Sequence, residues 1–227
     1  MLARGDIATI RGNRIFRRLR PVTIVAALAL AAFPVVATSL REHILRTGGW
    51  VLVTNNEPVA PADVIVLSID SGGAGALEAS DLVQSGVSKR VAVFQDPPSG
   101  EDHEFIRWGL PYEDAEARQI RQLKMLGVMG FTQISRIDGT ESEGQMLQQW
   151  CDQQHLRSIL VVAGKDHLRR LRRVLDRDME GHSTRVTVRV ARYSSFDPDR
   201  WWETRAGVRT EVVELQKLLL DVARHPT

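Results

Sequence analysis

The sequence predicts an α/β domain of Rossmann-like, three-layer type, with a mainly parallel sheet of about five strands, preceded by one N-terminal transmembrane helix. Three observations carry this expectation. From Pro61 onward, short β-branched or apolar runs alternate with helical patterns, as in a parallel sheet with crossover helices. The first of these runs is nearly continuous in apolar residues, as strands buried on both faces are. At the other end of the chain, residues 21–40 carry no charge, while Arg4, Arg11, Arg14, Arg17, Arg18 and Arg20 precede them against a single acid, Asp6.

The uncharged run, PVTIVAALALAAFPVVATSL, has no polar face at helical spacing and is about as long as a helix needs to cross the hydrocarbon core. Pro21 suits a first helical turn, and Pro34 bends a helix that a membrane otherwise tolerates. The positive-inside rule then keeps residues 1–20 as a basic cytoplasmic arm and makes 21–40 a single-pass anchor in the plasma (inner) membrane. Everything from about Arg41 faces the periplasm or cell exterior. A cleavable signal peptide ending near Ala37-Thr38-Ser39 is the rival, but the apolar run exceeds the usual length of such a core. Residues 41–60 read as a connector, with Trp50 to Val53 as a short strand before a polar turn. Residues 61–227 suit one domain.

Within that domain the first strand spans Asp63 to Ile69 and is followed by a helix from about Gly75 to Ser85. A second strand covers Arg90 to Phe94, after which prolines, glycines and acids break the pattern from Gln95 to Pro111. A helix from about Glu113 to Leu126 stops at Gly127, and Phe131 to Ile137 gives a third strand. Helix 141–154, strand 158–163, helix 166–179 and strand 184–191 come next. The last helix, from about Trp201 to Ala223, repeats Val208, Val212, Leu215, Leu218 and Leu219 at spacings that predict a buried apolar face.

Formal charge is balanced to +2, and no surface motif interleaves basic and aromatic residues, so nucleic acid is not an expected partner. Cys151, the only cysteine, excludes an intramolecular disulfide and a cysteine-based zinc site; mid-helix, it reads as a packing residue. No metal-ligand set and no cofactor is legible.

Ligands of open parallel sheets bind beyond the carboxyl ends of the strands, which selects three loops. The first, Asp70-Ser71-Gly72-Gly73, offers backbone amides to an anion at a helix start, although such glycines also serve tight geometry alone. In the second, Thr140 as cap and Glu143 three residues on form a capping box. The third places His167 and Arg170 one helical turn apart, an imidazole beside a guanidinium that suits an anionic group or an acid–base step. Four arginines in the run 169–173 cover more than one helix face, so most of them, Arg172 included, are expected to be solvated.

The order of elements and several local words resemble the DUF218 family, also described as YdcF-like or SanA/ElyC-like, over about residues 61–222. They are ADVIVLSIDSGG, LEASDLVQSG before KRVAVF, EDAEARQIRQLKMLGV, Thr140 to Gly144, ILVVAGKDHLRRLRRVL, WWETR and ELQK. The resemblance points to Gly72, Gly73, Glu143, His167, Arg170, Glu214 and Lys217. It departs at Gly144, where the family has Asn, and at Gly75 to Leu77, where an Arg is expected. It implies a cell-envelope role on a phosphate-bearing cell-wall or polysaccharide intermediate. In that role His167 and Glu143 are catalytic, and Asp70, Ser71, Gly72, Gly73 and Arg170 hold an anionic small molecule or envelope precursor. A non-catalytic binding or regulatory module and a structural partner of envelope proteins are the alternatives.

Overall fold

The computed structural model describes residues 38–54, 57–96, 98–137 and 139–226. The expected basic arm, and the expected anchor apart from residues 38–40, lie outside the described residues. Among the described residues, no helix is long and apolar enough to cross a membrane. A helix, α1, covers residues 38–51, and the chain divides within it into two units, one ending at Leu45 and one starting at Arg46. The second unit holds the sheet and the helices packed on it.

Five strands, β1 (Val64–Leu67), β2 (Val91–Phe94), β3 (Phe131–Ile134), β4 (Ser158–Ala163) and β5 (Arg185–Val190), form one sheet in the order β3-β2-β1-β4-β5. Every pairing is parallel. The fold is therefore Rossmann-like α/β. The chain winds outward from β1 to β3, then crosses back to lay β4 beside β1, with Ile65 against Leu160 and Leu67 against Val162. That reversal opens a crevice at the carboxyl ends of β1 and β4.

Helices cover both faces: α2 (Gly72–Gln84), α3 (Gly100–Arg107), α4 (Ala115–Met125), α5 (Thr140–Gln154), α6 (Leu168–Asp178) and α7 (Arg205–Arg224). Alternate strand residues sort the core into two layers. Val64, Val66, Ile159 and Val161 pack with Leu147, Trp150 and Cys151 of α5 and Leu168, Leu171 and Leu175 of α6. Ile65, Leu67, Leu160 and Val162 pack with Ala76, Ala79 and Leu82 of α2 and Leu123 of α4. Cys151 is buried, and burial pushes its thiol up to about 12, which fits a packing role.

Four expectations need correction. The segment Trp50 to Val53 is not a strand: α1 continues to Val51, and Leu52 is buried against Phe196 and Leu218. The interval read as irregular holds α3, started by a reciprocal capping box between Ser99 and Asp102. Because α3 buries no residue, it leaves no apolar period to find.

The expected buried face of α7 is met only at Leu215 and Leu218, which pack with Leu52 and Phe196. Val208, Val212 and Leu219 are exposed, while Leu218 is buried alongside Glu211, Glu214 and Asp221. The cause lies in the arginine run, which is not solvated as expected. Arg173 and Arg177 both bind Asp221, Arg170 binds Glu214, and these ion pairs draw the acidic side of α7 onto α6. The other two arginines hold the segment after α1. Arg169 donates to the carbonyl of Val53 at 2.9 Å, and Arg172 pairs with Glu57 and Asp176.

Candidate functional site

Strand β1 ends in a serine, a polar residue at the tip of an otherwise apolar run. The Ser68 amide still donates to the carbonyl of Val162, at 2.9 Å, so the ladder with β4 runs one residue beyond the strand. Ser71 then closes a tight turn, its amide and hydroxyl donating to the carbonyl of Ser68 at 3.0 and 2.7 Å. Gly72 leaves that turn at φ +50°, a left-handed conformation that a side chain would strain. Helix α2 therefore starts at Gly72, three residues earlier than predicted, and the exposed Gly72 and Gly73 supply its first-turn amides, which have no acceptor within the helix.

The Ser68 hydroxyl, itself fully buried, joins two of the predicted residues. Its oxygen lies 3.1 Å from Glu143 Oε2, to which it can donate when that carboxyl is ionised, and 3.3 Å from His167 Nε2. Glu143 does not complete a capping box. Thr140 is already helical, the cap of α5 is Gly139 at φ +88°, and no side chain caps that helix. The Glu143 carboxyl turns inward to the sheet edge, where it is 0% exposed and its Oε1 has no hydrogen-bond partner among the described residues. Burial, helped by the nearby charge of Asp70 and opposed by the Ser68 hydroxyl, raises it to about 8, so it keeps its proton at neutral pH.

His167 is the residue before α6 and is 1% exposed. Burial drives its pKa down to about 4; the Arg170 charge works in the same direction and the Asp70 charge against it. Both groups are thus neutral between about pH 4 and about pH 8. Two such groups, displaced in opposite directions and joined by one hydroxyl, make a candidate acid–base site.

On its far side His167 Nδ1 meets Asp70 Oδ2 at 3.2 Å and an amino nitrogen of Arg170 at 3.2 Å. Arg170 in turn donates to Glu214 Oε2 at 3.0 Å, and Lys217 holds Glu214 Oε1 at 2.6 Å. Burial opposes ionisation of Glu214, but Lys217 and Arg170 hold its carboxyl below the usual range. Asp70, its side chain 49% exposed, connects the cluster to solvent, while the Arg170 side chain is only 11% exposed. Arg170, expected to bind a ligand, is already engaged by Glu214. Beside His167, Asp166 has its carboxyl raised by burial and lines a hollow of about 300 Å³ with Phe196, Arg200, Trp201 and Thr210.

The structure thus brings Asp70, Glu143, His167 and Arg170 together at the β1/β4 crevice and leaves Ser71, Gly72 and Gly73 at its rim. Sequence reasoning missed Ser68, whose signal was its place at the carboxyl end of the first strand. It reached Glu214 and Lys217 through the DUF218 resemblance alone. Gly144 has a packing role: a Cβ there would overlap the Asp178 carboxylate and lie 2.6 Å from Val174 Cγ1 on α6.

One group of possible metal ligands is present among the described residues, Glu141, Asp221 and His225. Arg177 already pairs with Glu141 and Asp221, and Arg173 with Asp221, so cationic side chains occupy the place a metal ion would take.

No family model matches the chain, and no curated protein matches it. Among solved structures, guanylylpyridinol- and ATP-bound HcgE from Methanothermobacter marburgensis aligns with 75% of this chain and 98% of its own, at 13% identity and a TM-score of 0.31. A likeness of that size says nothing about function.

Proposed function

We propose that this domain is an acid–base enzyme of the cell envelope, DUF218-like in kind, acting on a phosphate-bearing cell-wall or polysaccharide intermediate. The observation that carries the reading is the convergence of Ser68, Asp70, Glu143 and His167 on one crevice, with Glu143 and His167 displaced in opposite directions. The first-turn amides of α2 at Gly72 and Gly73 are suited to the anionic group, because the positive end of a helix and its free N–H groups favour negative charge. Arg170 acts through His167 and Glu214 rather than on the ligand. The six N-terminal arginines and the uncharged run 21–40 support a single-pass anchor in the inner membrane with the domain outside. A reporter fused after the C-terminus is expected to be active only when exported.

A second reading, a non-catalytic binding or regulatory module, is favoured by the complete burial of Glu143 and His167. Incubating the full-length protein with phosphomonoesters and lipid-linked sugar pyrophosphates, followed by phosphorus NMR, separates the two. Turnover that falls at least about a hundredfold in His167→Gln, with the fold intact by circular dichroism, supports the enzyme. Binding without turnover, weakened in Gly73→Glu, supports the module. Neither binding nor turnover sinks both.

A further inference from the structure

His167 Nδ1 has two neighbours that demand opposite things of it. Asp70 Oδ2, at 3.2 Å, can only accept a hydrogen bond when ionised, whereas the Arg170 guanidinium, also at 3.2 Å, can only donate. A neutral imidazole satisfies one of them at a time. With the proton on Nδ1 it donates to Asp70; with the proton on Nε2 it accepts from Arg170 and donates to Ser68. The Ser68 hydroxyl is in turn placed between Nε2 at 3.3 Å and Glu143 Oε2 at 3.1 Å, so it must point one way or the other.

These alternatives are linked. When Glu143 is a carboxylic acid protonated on Oε2, it donates to Ser68, Ser68 donates to Nε2, and the imidazole proton sits on Nδ1 facing Asp70. When Glu143 is a carboxylate, Ser68 turns to donate to it, Nε2 carries the proton, and Nδ1 accepts from Arg170. We infer that His167 is a tautomeric switch that delivers the proton of the buried Glu143 to Asp70 through Ser68, making Asp70 the acid–base group at the ligand's side. The transfer balances: the Glu143 proton moves to Ser68 Oγ, the Ser68 proton to Nε2, and the Nδ1 proton to Asp70 or to a basic ligand oxygen beside it. No net charge is created, because one carboxyl loses the proton that another gains.

The geometry explains two features that burial alone leaves open. A fully covered carboxyl can take part in chemistry at solvent without being reached by a ligand, and Asp70, the most exposed member, is where the chain ends. Other charges near His167 are Glu214 and Lys217, which pair with each other, and Asp166 lies beside it in the chain. Arg170 favours the Nε2-protonated form, and Asp70 the other.

The inference rests on the acid–base reading of the site, but its test needs no ligand. Nitrogen-15 NMR of the imidazole in the full-length protein reports which ring nitrogen is protonated, with His167 assigned by the signal lost in His167→Gln. The Nδ1-protonated form is expected to dominate at about pH 6 and the Nε2-protonated form at about pH 9, with the exchange centred where Glu143 titrates, about 8. In Glu143→Gln and in Ser68→Ala the exchange should vanish, while the circular dichroism spectrum stays that of the parent. A wild-type tautomer constant from pH 6 to 9, or an exchange retained in either folded variant, would overturn the switch. Absence of turnover on phosphate compounds would overturn only the enzyme reading, since the tautomer measurement is made without substrate.

Discussion

Glu78 and Glu143 are both 0% exposed, both on helices that follow strands, and yet they are held in opposite ways. Glu78 is saturated: Arg189 Nε reaches its Oε1 at 3.2 Å, and the Arg192 amide and Nε reach its Oε2 at 3.2 and 2.8 Å. It fastens α2 to β5 and the loop beyond. Among the described residues Glu143 has no ion pair, donates or accepts through Ser68, and leaves Oε1 without a hydrogen-bond partner. Burial of a carboxyl is therefore not by itself a sign of function. What separates the two is whether cations compensate the lost hydration; where they do not, the group keeps its proton and becomes available for acid–base work.

The contrast is broken most directly at Glu78. Glu78→Ala should cost about 3 kcal/mol, because the Arg192 amide and the Arg189 guanidinium lose their acceptor, whereas Glu143→Gln should cost much less, as it replaces one neutral hydrogen-bonding group by another. Chemical denaturation of the two variants checks this, and equal losses would erase the distinction.

Next in size is a purely steric test beside the site. Gly144→Ala forces a methyl group against Val174 and Asp178 and should lower stability by about 2 kcal/mol, without changing how His167 titrates.

A smaller effect concerns pH. Glu143, raised in the fold from 4.5 to about 8, contributes stability that is fully present below its unfolded value and is lost as pH rises toward 8. His167, lowered from 6.5 to about 4, contributes stability present above 6.5 and lost as pH falls toward 4. The two slopes oppose each other between 4.5 and 6.5, and from 6.5 to about 8 the Glu143 slope acts without the His167 slope. Wild-type stability should thus fall by about 1–2 kcal/mol across that upper window, and Glu143→Gln should flatten the decline. Denaturation midpoints at pH 6.5 and 8 give the answer.

The smallest effect is expected at Arg172→Ala, which loses the pairs with Glu57 and Asp176 and should cost no more than about 1 kcal/mol, a typical surface ion pair. A loss as large as that of Glu78→Ala would place Arg172 with the structural ion pairs instead.

What the residues determine locally was legible along the chain. Val64 to Leu67 and Ile159 to Ala163 read as buried parallel strands because every position is apolar, and the period of such runs does not depend on what they pack against. The polar loops after β1, β3 and β4 were legible as candidate ligands because the parallel sheet dictates which edge binds. Partner choice was not legible. Thr140 and Glu143 have the spacing of a capping box, and only the approach of Ser68 from another strand draws the carboxyl away from it. Val208, Val212 and Leu219 of α7 have the spacing of a buried face together with Leu215 and Leu218, but Arg170, Arg173 and Arg177 of α6 recruit Glu214 and Asp221 beside Leu218, and the other three are left exposed. In each case a contact between residues far apart in the chain outweighs a local preference, because desolvated charges must be paired and apolar side chains tolerate exposure at far lower cost.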